Sequence, residues 1–211
     1  MNNIFFTILT LLFLFTMKAQ TPIKPLYIKG GNNVSGAYYK DLNNDFDNFT
    51  GTWQLVNGST TLKIVFEKRE QIYIEDYDAY YDVLVGEYKY LVNGLEKVNT
   101  LPNLVSPPTD VYAHNIVGAS IIKSTSAPVC NDCTVNERRV SLNFNDPTRP
   151  GIQHGLSGKI IVKRADVGAS QKIKINLRQS GAYIPPTGTT PTSEQYSFNI
   201  PWGEYILTKV N

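Results

Sequence analysis

From Gly51 onward, apolar residues recur at every second position and turn formers interrupt them roughly every ten residues, the pattern of an antiparallel meander. The clearest hairpin runs from Gly51 to Val56, turns at Asn57-Gly58, and returns through Thr60 to Glu67 with Leu62, Ile64 and Phe66 on one face. Asn-Gly tolerates the positive φ angles of a type I′ turn, and the same pair recurs as Asn93-Gly94 between Asp82–Val92 and Leu95–Val98. Further strands are expected at Gln71–Glu75, Val117–Lys123, Arg138–Asn145, Gly158–Arg164, Lys172–Gln179 and Glu204–Val210. In Lys172–Gln179, Ile173, Ile175 and Leu177 alternate with Lys172, Lys174 and Asn176, one dry face and one wet. The expected fold is all-β: an antiparallel up-and-down barrel of about eight to ten strands, with a two-sheet sandwich as the alternative. One short helix is expected, Leu42 to Phe49, with Asp41 as its N-cap and Phe46 and Phe49 on its inner side.

Three stretches lack periodicity: Leu101–Asp110, Thr125–Asn136 and Tyr183–Glu194, each with prolines or, in the second, both cysteines. They read as long loops, where binding residues commonly sit. Ahead of the barrel, Met1 to Phe15 is apolar and broken only by threonines and a leading pair of asparagines, and Lys18-Ala19-Gln20 follows. That run is too short to span a membrane as a helix and reads as a secretory signal peptide over residues 1–19, although no basic residue precedes it and Met17 stands where a small residue is usual. Residues 20–44 form an arm, with a turn around Gly30-Gly31-Asn32-Asn33, and residues 45–211 form the single barrel domain. Loss of Lys18 with the leader takes Lys+Arg from 20 to 19 against 18 Asp+Glu, too balanced for a nucleic-acid surface. The mature chain is expected to be exported and to carry no transmembrane helix, residing in the periplasm, on the cell surface or outside the cell.

Phe49-x-Gly51-x-Trp53 after a helical turn, leading into a meander, resembles the start of lipocalins and fatty-acid-binding proteins, the calycin barrels. The resemblance implies that Trp53, with Gly51, closes the barrel base and that Lys209 from the last strand stacks on the indole. It also implies a small apolar or amphipathic ligand in the barrel mouth. The helix pair that follows strand one in fatty-acid binders is replaced here by the Asn57-Gly58 turn, so the helical lid is missing. The run from Tyr38 to Trp53, the leader and the asparagine-rich composition are similar to an uncharacterised family of exported flavobacterial proteins, a resemblance that brings no activity with it.

Cys130-Asn-Asp-Cys133 is the only cysteine pair, and three readings compete: a tight loop disulfide, half a metal site completed by His114 and His154, or a redox dithiol. Export favours the disulfide, and the histidines lie at no conventional finger spacing. Redox pairs usually set the first thiolate at a helix N-terminus, whereas Thr134–Arg139 runs into a strand. Glu75-Asp-Tyr-Asp-Ala-Tyr-Tyr-Asp82 concentrates carboxylates and tyrosines, either a calcium or carbohydrate patch or an acidic hairpin end with tyrosines lying on the barrel. Tyr77, Tyr80, Tyr81 and Tyr183 are the candidate binding-loop residues. The signatures of hydrolases, metalloproteases and nucleotide binders are absent, so no catalytic residue, metal or cofactor is assigned. Two functions follow: a barrel binding a small hydrophobic ligand, or a barrel filled by its own side chains that contacts a protein or glycan through its loops.

Overall fold

The computed structural model describes residues 21–26, 33–149, 154–190, 192 and 195–210. The expected leader, the Gly30-Gly31 turn and part of the Tyr183–Glu194 loop lie outside them. Its strands are β1 (Ile23–Pro25), β2 (Tyr38–Lys40), β3 (Gly51–Asn57), β4 (Thr60–Ile74), β5 (Ala79–Val92), β6 (Leu95–Asn99), β7 (Ile116–Lys123), β8 (Arg138–Phe144), β9 (Ser157–Arg164), β10 (Lys172–Gly181) and β11 (Gly203–Val210), with one helical turn, α1 (Pro102–Val105).

Eight of these strands close a barrel in the order β5-β4-β3-β11-β10-β9-β8-β7 and back to β5. Nearly every neighbour in space is a neighbour in sequence, as in an up-and-down barrel. The sandwich alternative is excluded by two seams: Trp53 opposite Lys209 joins β3 to β11, and Gly86 opposite Ile116 joins β5 to β7. Closure leaves no free edge around the wall. Strand β5 overruns that wall at both ends, pairing with β6 through Lys89–Val92 and with the parallel β2 through Tyr80 and Tyr81.

Two expected elements differ. The separate strands Thr60–Glu67 and Gln71–Glu75 are one strand, β4, kinked by a bulge between Arg69 and Ile72 in which Gln71 takes φ 55°. The expected helix Leu42–Phe49 is a single 3-10 turn, Phe46–Asn48, because Asn44 sits at φ 54° and breaks the right-handed path. Asp41 still acts as a cap, accepting the amides of Asp45 and Phe46 at 2.9 Å each. The Asn93-Gly94 turn has positive φ at both residues, as its sequence demands, whereas the β3–β4 turn places its φ of 58° at Gly58 and pairs Asn57 directly with Thr60.

The inward positions are occupied by the barrel's own side chains. Leu62, Ile64 and Phe66 from β4 meet Val140, Leu142 and Phe144 from β8 and Ile173, Ile175 and Leu177 from β10 in one continuous core. The base is closed by the 3-10 turn, which buries Phe46 and Phe49 beside Trp53, whose Nε1 donates to Phe49 O at 2.6 Å. Lys209 Nζ lies 5.4 Å from the Trp53 ring centroid, and Arg164 Cζ lies at the same distance. Gly51, at φ 104°, passes so close that a Cβ there would sit 3.2 Å from Lys209 Cε. The opposite end is filled by Tyr183, Phe198 and Ile200 from the β10–β11 connection.

Candidate functional site

Beyond the bulge, the ends of β4 and β5 leave the barrel wall as a ribbon closed by the 3-10 turn Glu75–Tyr77 and Asp78, the latter at φ 46°. The four carboxylates of this segment do not converge on one point. Asp78 accepts from Ser35 Oγ and, at 2.8 Å, from Tyr73 OH, and these two hydroxyls hold its carboxyl below the ordinary 3.8. Asp82 points inward and is fully buried, accepting from Tyr38 OH, from Asp41 N at 2.9 Å and from Gln71 N at 3.1 Å. A calcium loop needs oxygens gathered around one centre, and this segment disperses them.

The tyrosines do gather, on two faces. Tyr80 pairs with Tyr73 on one side of the ribbon, ring centroids 5.2 Å apart. Tyr81, on the other side, stacks flat on Tyr39 at 4.7 Å and receives Tyr77 at 5.7 Å in a tilted contact. Burial, and the neighbouring Tyr39, Tyr77 and Tyr112, push the Tyr81 hydroxyl up to about 12, so it remains a donor and bonds Asn33 Oδ1 at 3.0 Å. Tyr183 is not part of this group. It is 5 % exposed in the far plug, edge-on to Tyr196 and to His154, which corrects its expected place as a surface binding residue.

Tyr77 and Tyr81, joined by Tyr112, wall a cleft of about 460 Å³ on the outer face of β7, β8 and β9. Its floor and far side are Gly118, Ser120, Ser141, Asn143 and Lys159, with Asp76 at the rim. Tyr112 arrives on a short 3-10 turn capped by Asp110, whose Oδ1 accepts Tyr112 N at 2.9 Å. Burial raises its hydroxyl too, with Tyr77 contributing. Across Asp76 and Tyr112 a second cleft, about 640 Å³, continues between the ribbon and Pro107–Val111. The base of that loop is tied down by Glu87, fully buried on β5, which meets His114 Nδ1 at 2.8 Å and accepts Asn115 Nδ2 at 2.8 Å. The expected loop Leu101–Asp110 stops two residues short of Tyr112, and nothing local marks that residue: only the β5–β7 pairing brings it to Tyr77.

A third cleft, about 400 Å³, lies on the outer face of β9, β10 and β11 beneath the Thr125–Asn136 loop. Cys130 and Cys133 form a disulfide in this roof. Lys163 Nζ reaches up from β9 to 3.8 Å from both sulfurs and 2.9 Å from Asp132 Oδ2, while Lys174 bridges Asp132 at 3.3 Å and Glu204 at 2.9 Å. The two lysines hold the Asp132 carboxyl below its ordinary value, and Lys174 does the same for Glu204. Neither histidine joins the cysteines: His114 is held by Glu87 and His154 packs on Tyr183. The two-cysteine, two-histidine metal site is therefore not assembled.

The Ser35–Asp78–Tyr73 clasp carries a pH dependence. Asp78 is depressed in the folded state, so its contribution is complete above the ordinary pKa and disappears as pH falls through the folded value. Hydrogen exchange should show the Gly36 amide, which donates to Asp78 O at 2.7 Å, losing protection as pH falls below the ordinary 3.8 and through the lower folded value, while the barrel strands keep theirs. Asp78→Asn, which tolerates the left-handed backbone, should remove that pH dependence; an unchanged profile would refute the clasp.

Fold and site together define an eight-stranded up-and-down barrel whose inward positions are packed and whose clefts lie on its outer wall. The chain belongs to a family of unknown function (DUF6705), whose model matches residues 1–210. No curated protein and no solved structure matches it. Among the described residues no helix is long and apolar enough to cross a membrane.

Proposed function

We propose that this is an exported, non-catalytic binding protein that holds a glycan in the Tyr77–Tyr81–Tyr112 cleft. In this reading residues 1–19 are a cleaved leader, residues 20–44 an arm, residues 45–211 the functional barrel, and the mature protein works in the periplasm, at the surface or outside a Gram-negative cell. The disulfide accords with an oxidising compartment.

The observation that carries the reading is the make-up of the cleft: three tyrosines beside Asp76, Ser120, Ser141, Asn143 and Lys159, on a rigid strand floor. Aromatic faces suit the apolar C–H faces of sugars, and short polar side chains between them suit hydroxyls. The other reading, a small apolar ligand in a lipocalin-like lumen, rests on the Phe49-x-Gly51-x-Trp53 start. It requires space now taken by Phe66, Tyr88, Leu142 and Phe144.

Oligosaccharides on a glycan array, followed by calorimetric titration of the best binder, test the proposal. Tyr77 and Tyr112 are 47 % and 38 % exposed, so the Tyr77→Ala/Tyr112→Ala double variant should lose at least about tenfold in affinity while its melting midpoint stays near wild type. Binding that survives the double variant, or an array without a single binder, would overturn the assignment.

A further inference from the structure

We propose that the Cys130–Cys133 disulfide is exchangeable, taking two electrons from a partner dithiol, and that Lys163 is the cation that holds the thiolate this exchange releases. The pair lies on the outside of the barrel and both cysteines are partly exposed, within reach of another molecule. The nearly buried Lys163 sets its ammonium 3.8 Å from each sulfur. A cation at that distance in a partly desolvated setting favours thiolate over thiol, the role a helix N-terminus fills in other redox pairs. The same ammonium stands among the three donors Cys130, Asp132 and Cys133 that could otherwise ligate a metal, and it repels a second cation there.

A partner thiol ionises, losing its proton to solvent, and its thiolate attacks Cys130 Sγ, expelling Cys133 as a thiolate beside Lys163. The partner's second thiol then attacks the mixed disulfide, closing the partner's own disulfide and releasing Cys130. Cys130 takes the remaining proton, with Asp132 Oδ1 at 3.2 Å from its sulfur to accept the S–H bond. The partner loses two electrons and two protons; the pair is left as one thiol and one thiolate.

The surrounding loop does not depend on the bond. Arg139, from β8, donates to the carbonyls of Lys123, Ser126 and Pro128 at 2.7–3.0 Å, and Lys163 and Lys174 hold Asp132 on the other side. A ring closed over a sequence separation of three adds little chain-entropy stabilisation, so opening it should leave the barrel standing. The charged groups around the cleft beneath this loop are thus Lys163 from β9, Lys174 and Arg178 from β10, Arg139 from β8, Asp132 and Glu137 from the loop, and Glu204 from β11.

Incubating the full chain with reduced glutathione, two molecules of which stand in for the dithiol, then quenching in acid and weighing the intact protein, reads the exchange. The expected result is a gain of two hydrogens while tryptophan fluorescence stays native. Iodoacetamide alkylation of the reduced chain against pH should then show a midpoint at least about one unit below the ~8.5 of a free cysteine, and Lys163→Met should return it toward that value. A disulfide that opens only when the protein unfolds, or a wild-type midpoint at or above ~8.5, would overturn the proposal, and neither needs the variant to fold. An unchanged midpoint in a folded Lys163→Met chain would equally remove Lys163 from it.

Discussion

Trp53→Ala is expected to destabilise the protein by about 3–5 kcal/mol, lowering the melting midpoint on the order of 10 °C for a domain of this size. The indole is fully buried, Phe46 and Phe49 are buried with it in one core, and Lys209 and Arg164 approach its ring. Truncation would leave a cavity that a closed barrel wall cannot collapse to fill. It would also free Phe49 O, the acceptor of the indole N–H. Trp53→Phe separates these effects: it keeps most of the apolar volume and loses the hydrogen bond and part of the cation attraction, for about 1–2 kcal/mol. Thermal and urea unfolding of both variants provide the check. A Trp53→Ala chain melting within a degree or two of wild type would mean that the base is held by something other than the indole.

The second large effect is expected at Asp82, where Asp82→Ala should cost about 3 kcal/mol or more by urea unfolding. Its carboxylate lies on β5 with no exposed surface and receives three donors, from Tyr38, Asp41 and Gln71. Alanine would strand the Tyr38 hydroxyl and the Asp41 amide away from water. The consequence extends further, because Asp41 is the residue that caps the turn carrying Phe46. Asp82 thus steadies the turn beside Trp53 through Asp41, and the Trp53→Ala/Asp82→Ala double variant should lose less than the sum of the singles. Strict additivity would show that the two are independent. Asp82→Asn, which retains one acceptor oxygen, should fall between wild type and alanine.

The alternation of Leu62, Ile64 and Phe66, and of Ile173, Ile175 and Leu177, was enough to place these strands and their buried faces, since side-chain direction in a strand follows position alone. Asn93-Gly94 was legible for the same local reason. What escaped the one-dimensional reading was set by distant contact. Gln71 reads as the first residue of a separate strand, but its amide is drawn to Asp82 and the break becomes a bulge within one strand. The helix over Leu42–Phe49 fails at Asn44, whose left-handed backbone is tolerated by asparagine but not demanded by it. Tyr77 and Tyr81 stood out in the sequence through their acidic neighbours, whereas Tyr112 belongs with them only after β7 docks on β5. Arg164 beside Trp53 and Lys163 beside the disulfide had no local mark, because barrel closure brings the first pair together and the folding of the Thr125–Asn136 loop onto the outer wall the second.

The seam between β3 and β11 joins residues 156 positions apart, Trp53 to Lys209, whereas most other wall pairings link consecutive strands. A growing or threading chain can therefore zip hairpin after hairpin, yet it must hold two raw sheet margins, on β3 and β10, until the final strand arrives between them. That interval is the chain's exposure to edge-to-edge aggregation. A holdase that masks strand margins would accordingly matter most for this protein just before its last eight-residue strand is delivered.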